Sequence, residues 1–557
     1  MTEPSIAAPL VVGVTSHRDL VAAEIEPIRG RVRALFAALR RDFPDMPLVV
    51  LSSLAEGGDQ LAAEEALREG ARLVAALPMA RAEYARDFAD AAKLARFQSL
   101  CDAAEIIEVP RRSGAAADAT PEGAARDARY ADAGVYVSDH CHLLLAIWDG
   151  KPAASLGGTA QVVRYHLTGV RPAEQQRNAR RGALGYGSER LAYHVVASRS
   201  RPDGAPLPSL HALDAHWRTG DAISPAGGAM PDAFRAMFDC ADAFNRDATK
   251  YSAEIEARDA TGALDRLFRA ADWLAMHFQR RVLLAMRVLY TLAALMAIAF
   301  TVYDNVPAQD NMLYVFLLLF VIGGFIVTLA NRRGWHRKYL DYRALAEGLR
   351  VQSYWRRAGL PLTDDAEFGR DNFLQKQDVE LGWVRNVMRS AALEEGEGTA
   401  GPGAVATVVA EWIGDGERQG QLEYYRRKAA QRARTHRVTE AIGLASLLVG
   451  IGISVVLAIF ARQLSGDAKN DLVIVMAVFS ILAGVRAAYA YKKADKELIK
   501  QYRYMQQIFD QARIALKGTT DAREQREILR LLGEAALAEQ VEWALMHRQR
   551  PLEHNRI

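Results

Sequence analysis

Three short stretches place glycine, hydroxyl and charged side chains at the ends of apolar runs. "GVTSHRDL" offers Gly13 for close backbone approach, the hydroxyls of Thr15 and Ser16, and His17 and Arg18 to meet an anion. "SSLAEGGDQLA" carries Ser52 and Glu56, two glycines, Gly57 and Gly58, that free the backbone, and Asp59, which can cap a helix or grip a ribose hydroxyl. "WDG" ends a third run with Trp148 and Asp149, and "LGGTAQVVRYHL" then sets Gly157, Gly158 and Thr159 at the mouth of a helix. A helix N-terminus has unpaired N–H groups and a partial positive charge, which suits a phosphate. Any one of these loops is equally readable as a turn and cap, and His17 as a packing or positioning residue; their recurrence at three strand ends makes the case. The "DHCH" run at Asp139–His142 has metal-ligand residue types, but adjacent residues on a strand point to opposite faces. No metal site and no bound cofactor are expected.

The surrounding pattern must position these loops. Apolar runs ("PLVVGVT", "PLVVLSS", "ARLVAALP", "EIIEVP", "HLLLAIWDG", "LAYHVVAS") alternate with helical stretches over residues 8–200. Such alternation implies an α/β fold, a Rossmann-like parallel sheet covered on both faces, with ligands beyond the carboxyl ends of the strands. "RRSGAAADATPEGAA" reads as a turn-rich loop. The net charge of +3 predicts no nucleic-acid partner, and three scattered cysteines, Cys101, Cys141 and Cys240, give neither a disulfide framework nor a zinc site. The start, "MTEPSIAAPL", lacks the pattern of a signal peptide.

These motifs, with "YARDF" after the third run, resemble the SLOG superfamily, Rossmann-like domains related to the LOG nucleotide phosphoribohydrolases and DprA-type proteins. The resemblance covers about residues 8 to 200 and implies a nucleotide pocket. Two small departures are Ser16 where the commoner motif has glycine, and Gly57-Gly58-Asp59 where it has Gly-Ala-Asp. A larger one concerns catalysis. The hydrolase branch has Pro-Gly-Gly-x-Gly-Thr-x-x-Glu; here Leu156 replaces the proline, the x-Gly insert is absent, and Val162 stands three residues after Thr159. Gln161 cannot do the work of the missing carboxylate, because an amide takes no proton near neutral pH. The resemblance therefore implies a sensor rather than an enzyme, with no catalytic residue expected.

The second half differs in composition. Four apolar segments, about 282–303, 312–330, 440–461 and 472–491, approach the ~20 residues that cross a ~30 Å hydrocarbon core as a helix. The expected organisation is an N-terminal nucleotide-binding domain over 1–255, then an all-α membrane region. That region has a first hairpin with cytoplasmic helices over 256–393, a linker over 394–420, and a second hairpin with C-terminal helices over 421–557. Tyr342-Arg343 and Tyr502-Arg503 fall at similar distances past their spans, a weak parallel repeat. "QLEYYRRKAAQRARTHR" and "QVEWALMHRQRPLE" resemble SLATT domains, two-helix membrane modules found beside SLOG sensors in bacterial conflict systems; "HRKYLDYRALAEGLRVQSYW" and "LQKQDVELGWVRNVMR" resemble a variant of the same module. That resemblance implies pore formation or membrane disruption, a homo-oligomer, and anti-phage defence at the bacterial inner membrane. Arg287 and Arg486, toward the cytoplasmic ends of their spans, read as snorkelling residues, or else as a pore vestibule.

Three functions follow. The first is a membrane effector that senses a nucleotide derived from NAD or a cyclic dinucleotide. The second is a membrane-tethered hydrolase of a nucleotide or of NAD, disfavoured by the missing glutamate. The third is a nucleotide-regulated transporter, disfavoured by the lack of polar groups at mid-span. Lys and Arg cluster at "NRRGWHRK", "YYRRKAAQRARTHR" and "YKKADK", whereas "DNVPAQDN" has none. The positive-inside rule then puts both termini in the cytoplasm. A reporter active only outside the cytoplasm is expected to work when fused within Asp304–Asn311 and to fail at Arg357 or the C-terminus; activity at the C-terminus would exclude this topology.

Overall fold

The computed structural model describes residues 6–548 apart from 89, 111–122, 153–155, 170–189, 221, 256–261, 307–308, 361–372, 375–378, 396–400, 402, 416–418 and 461. Most of the turn-rich loop, and residues 396–400, 402 and 416–418 of the linker, lie outside the described residues. The chain divides into two compact units: Met1–Ala270 with Pro361–Gly398, and Ala271–Leu360 with Thr399–Ile557.

The first unit is built on an eight-stranded sheet of order β4-β3-β2-β1-β5-β6-β7-β8. The strands are β1 (Leu10–Ser16), β2 (Leu48–Ser52), β3 (Arg72–Leu77), β4 (Glu105–Glu108), β5 (Leu143–Trp148), β6 (Leu191–Val196), β7 (Ala215–Thr219) and β8 (Ala222–Ile223). β1 to β6 pair in parallel. Sequence shows why: LVVGVTS, LVVLS and LLLAIW are buried at every position, as strands covered on both faces must be. The outer strand β4, EIIE, is mostly exposed and flanked by glutamates, which blunts the edge. At the other end β7 and β8 are antiparallel, so the sheet is mixed rather than wholly parallel. AHWRT and the two-residue β8 are too short and polar to stand out as apolar runs.

Among the described residues seven α-helices precede the apolar half: α1 (Ile25–Asp42), α2 (Gly58–Arg68), α3 (Arg81–Tyr84), α4 (Ala91–Asp102), α5 (Ala124–His140), α6 (Thr159–Thr168) and α7 (Asp232–Lys250). The chain builds outward from β1 to β4, then returns to place β5 on the other side of β1. The crevice at that reversal, beyond the strands' carboxyl ends, is where such sheets take ligands.

Then come α8 (Ala263–Asn305), α9 (Asn311–Arg332), α10 (Trp335–Arg357), α11 (Gly382–Glu395), α12 (Ala404–Val408), α13 (Gln421–Phe460), α14 (Gly466–Lys492), α15 (Asp495–Gly518) and α16 (Ala522–Arg548). The segment with α11, which the sequence reading assigns to the first hairpin's cytoplasmic helices, folds into the sheet unit. His142 fixes it there: its Nδ1 accepts from Val11 N at 3.2 Å and its Nε2 donates to Asn386 O at 2.8 Å. Trp383 packs on Phe244 of α7, ring centroids 5.8 Å apart.

Among the described residues four helices are long and apolar enough to cross a membrane, their apolar stretches lying in the second unit. Leu318, Phe325, Leu447 and Ile459 are each exposed over more than half their surface, so these faces await an apolar surround. Tyr290 and Tyr489 meet edge to face at 5.5 Å, joining a span of each hairpin. Beyond the spans, Trp355 donates to Leu529 O at 3.1 Å and lies where a Cβ on Gly533 would come within 2.3 Å.

The two hairpins share a joint. Gly334 (φ 59°, ψ 31°) separates α9 from α10, and Ala494 (φ 53°, ψ 38°) separates α14 from α15. Each joint lies eight residues before the Tyr-Arg pair of its copy. A left-handed residue lets a span end and a new helix start at a set angle. It costs an L-residue roughly 1–2 kcal/mol, and glycine much less. Gly334→Ala is therefore expected to lower the stability of the detergent-solubilised chain by about 1 kcal/mol, and Ala494→Gly to raise it by less; opposite shifts in melting temperature would contradict the assigned joints.

Candidate functional site

A cleft of about 260 Å³ opens at the reversal of strand order. Its floor is Asp59, in the first turn of α2 and 4 % exposed. Ser16 Oγ donates to its Oδ1 at 2.6 Å and Ser52 Oγ to its Oδ2 at 3.5 Å, tying the ends of β1 and β2 to one carboxylate. Ser52 Oγ also accepts from Leu54 N at 3.1 Å. Leu54 is buried at φ +54°, a strained position for a branched residue, in the loop that carries the cleft residues Ser53 and Ala55. Burial pushes the Asp59 carboxyl up to about 6, against the pull of Ser16 and Arg18.

The third loop closes one side. Thr159 Oγ1 donates to Ser16 O at 2.6 Å, so the start of α6 is fastened to the end of β1. Gly157 N donates to Gln161 Oε1 at 2.6 Å, which occupies one N–H that the sequence reading offered to a phosphate. Thr159 and Ala160, at the first two helical positions, keep N–H groups that no intrahelical bond can satisfy. Val162, at the hydrolase glutamate position, lines the cleft with its methyl against Gly134 of α5.

The opposite wall is aromatic. Tyr84 is buried and stacks edge to face on Phe97 at 5.4 Å; Tyr130 of α5 bonds through its hydroxyl to Asp87. Arg18 is exposed and its guanidinium lies 5.3 Å from the Tyr130 ring centre. Burial of the head group opposes its charge, but Tyr84, Tyr130, Asp87 and Asp59 outweigh that, and the guanidinium is held above its ordinary value. Arg199 also lines the cleft and pairs with Asp19 at 2.8 Å.

Thr15, Ser16, His17, Arg18, Asp59 and the Gly157–Thr159 turn line the cleft. The other candidates stand behind it. A Cβ on Gly13 would lie 2.9 Å from Cys141 and Val137, so the open face of Gly13 admits α5 rather than a ligand. Gly57 (φ +90°) would bring a Cβ within 2.5 Å of Arg18 O, and a Cβ on Gly58 would meet Ser16. Glu56 pairs with Lys93. Trp148 is buried beside His194 at 5.2 Å, with Arg218 at 5.3 Å on its ring, and is a core residue. Asp149 is buried, accepts from Lys151 N at 3.0 Å, and lies 3.1 Å from His17 Nε2. Burial nevertheless holds His17 below its usual value, and it is neutral at pH 7. The "DHCH" side chains diverge: Asp139 accepts from Tyr165 at 2.8 Å, His140 meets Tyr136 O at 2.9 Å, and His142 braces α11. Arg287 is exposed on α8, and Arg486 of α14 donates to Thr439 at 3.4 Å. Tyr84, Tyr130 and Arg199 were not foreseen; "YARDF" contained Tyr84, but only the fold brings Tyr130 and Arg199 to it.

No family model, curated protein or solved structure matches this chain.

Asp59 makes a pH prediction. An unfolded aspartate titrates near ~4. A carboxyl raised to about 6 in the fold costs nothing below ~4, and its penalty grows with pH until it is complete above about 6. Two units correspond to something on the order of 3 kcal/mol. Asp59→Asn is expected to be more stable relative to the parent at pH 7 than at pH 4. Parallel melting curves across that range would show that the carboxyl is not raised.

Proposed function

We propose that the chain is a SLOG-like nucleotide sensor joined to SLATT-like membrane hairpins, a bacterial inner-membrane effector with both termini cytoplasmic. The observation that carries the ligand half is the cleft itself. A cation over an aromatic ring, hydroxyls, and a helix N-terminus gather where α/β sheets take phosphorylated ligands. Its volume lies just under the ~300–1,000 Å³ of ordinary small-molecule sites, and suits a mononucleotide or part of a dinucleotide better than a whole one. Arg18 would meet the phosphate, and the base or ribose would lie toward Tyr130.

The effector half rests on connectivity. Helix α5 walls the cleft with Tyr130 and Gly134, and the residues at and just past its C-terminal end support α11. The chain runs from α11 back to the first hairpin and forward to the second. A ligand that shifts α5 therefore shifts an element covalently continuous with both hairpins. To move a closed state at 1:99 to an open one at 99:1, binding must favour the open state by about 10⁴-fold, or ~5.5 kcal/mol. A homo-oligomer in which several clefts act together reaches that readily, and defence against phage is the setting the family resemblance implies.

One observation favours the hydrolase reading. Asp59 faces the cleft with a carboxyl near 6, a value suited to proton exchange. Against it, both oxygens of Asp59 are engaged by serines, and Val162 stands where the family's glutamate would be.

The test uses the full chain in liposomes with a potential-sensitive dye, given AMP, NAD or cyclic dinucleotides, with released base assayed in parallel. A sensor predicts ligand-dependent ion flux with no base released. Arg18→Ala and Gly158→Val should each weaken binding about tenfold or more, in folded protein. Gly158 has φ −76° and ψ 158°, which valine adopts easily, so that variant probes the site and not the backbone. Base release that Asp59→Asn abolishes, without any flux, would replace the sensor with the enzyme.

A further inference from the structure

The helical unit encloses a second cavity, about 400 Å³, framed by α8, α10, α13, α15 and α16 on the polar stretches that flank the spans. One wall is an internally satisfied ionic network. Arg343 lies 3.4 Å from Asp272 and pairs with Glu347; Arg350 lies 3.6 Å from Asp272 and 3.1 Å from Glu347. These two cations and two carboxylates balance.

Three other lining groups do not. Lys428 has no ion pair among the described residues, and its ammonium stands 5.8 Å from the centre of the Tyr424 ring. Glu539 likewise makes no ion pair or hydrogen bond among them, and only the charge of Arg343 acts on it favourably. Gln540 is 4 % exposed, and its Nε2 has no hydrogen-bond partner. A buried amide nitrogen left unpaired costs about 1–3 kcal/mol, so such a group is a sign of something that completes it. Burial, and then the charge of Glu347, push the Glu539 carboxyl up to about 8. At neutral pH it is an O–H donor. The unmatched groups are thus all donors, beside a lysine, with Arg432 adding positive charge from over Tyr502 at 5.7 Å.

We propose that this cavity is a binding site for a phosphate-bearing anion, held by Lys428, Gln540 and the carboxyl of Glu539. An organic cation is disfavoured, because Lys428 and Arg432 already occupy the ring faces it would use. A carboxylate offers two oxygens, whereas a phosphate offers three to match three donors. The phosphate belongs either to a soluble ester or to the headgroup of an anionic lipid, which the position beside the spans favours. This inference does not depend on the cleft of the sheet unit.

The test uses the full chain in phosphatidylcholine nanodiscs. Inorganic phosphate is titrated at constant ionic strength, and in a second arm phosphatidylglycerol replaces part of the lipid. Melting temperature and tryptophan fluorescence are read, with Trp543→Phe identifying the signal from this cavity. A saturable response to phosphate indicates a soluble source, and a response to phosphatidylglycerol alone indicates a headgroup. In either case Lys428→Met and Gln540→Leu should weaken it at least ~10-fold, and it should fade as pH rises past about 8. Gln540→Leu removes an unpaired donor, so on its own it should not lower the melting temperature. The proposal is overturned if neither arm responds, or if the folded variants respond as the parent does.

Discussion

The close approach of α5 to β1 on one side, and to α6 and the turn before it on the other, is the constraint on which the first unit depends. Three glycines make it possible. Cβ atoms on Gly13, Gly134 and Gly157 would come within 2.9 Å of Cys141, 2.4 Å of Val162 and 2.8 Å of Ala131 N. Interiors at crystal-like density do not yield that space, so larger residues would lift α5 away. From this position α5 presents Tyr130 to the cleft, while the residues that follow it bring His142 between Val11 and Asn386. The cleft wall and the support for α11 are two ends of one rigid element.

Charge is arranged around that wall in a consistent way. The acid, Asp59, sits at the bottom, held by two serines at a helix N-terminus whose dipole favours its ionised form. Burial outweighs that dipole. The base, Arg18, sits at the rim, where its charge is retained. The anionic ligand proposed above would meet a cation first, and enter a floor that can shed its own charge by taking a proton. A carboxylate fixed as ionised at the same place would repel it.

Much of this was legible in the sequence, for definite reasons. β1 to β6 showed because strands buried on both faces are unbroken apolar runs, and the loops after β1, β2 and β5 showed because glycine and hydroxyl residues cluster there. What the glycines were for was not legible. Gly13, Gly57 and Gly58 read as room for a ligand, but each makes room for protein, since one sequence cannot say which atoms approach a bare Cα. Trp148 read as a residue at the mouth of the ligand site and is core, because β5 is central in the sheet. β7 and β8 escaped as short polar edge strands. The place of α11 escaped because its partners, His142 and Phe244, are more than a hundred residues away.

The helical unit shows the converse, a pattern in structure that sequence only hinted at. Gly334 and Ala494 are unlike residues in the same left-handed conformation, each eight residues before a Tyr-Arg pair. An alanine held there at a cost means that packing on both sides dictates the joint, not the residue's own preference. The two copies are then equivalent where each span meets its following helix. They differ in what comes next. α10 of the first copy is followed by a segment that folds into the sheet unit, whereas α15 of the second runs on through α16, which packs back on α10 through Trp355 and Leu529. In a gated effector this asymmetry assigns the roles. Under the proposed gating, a signal would enter through the first copy, whose chain continues into the sheet unit, and the second copy is joined to the first through α16 and the Tyr290–Tyr489 contact.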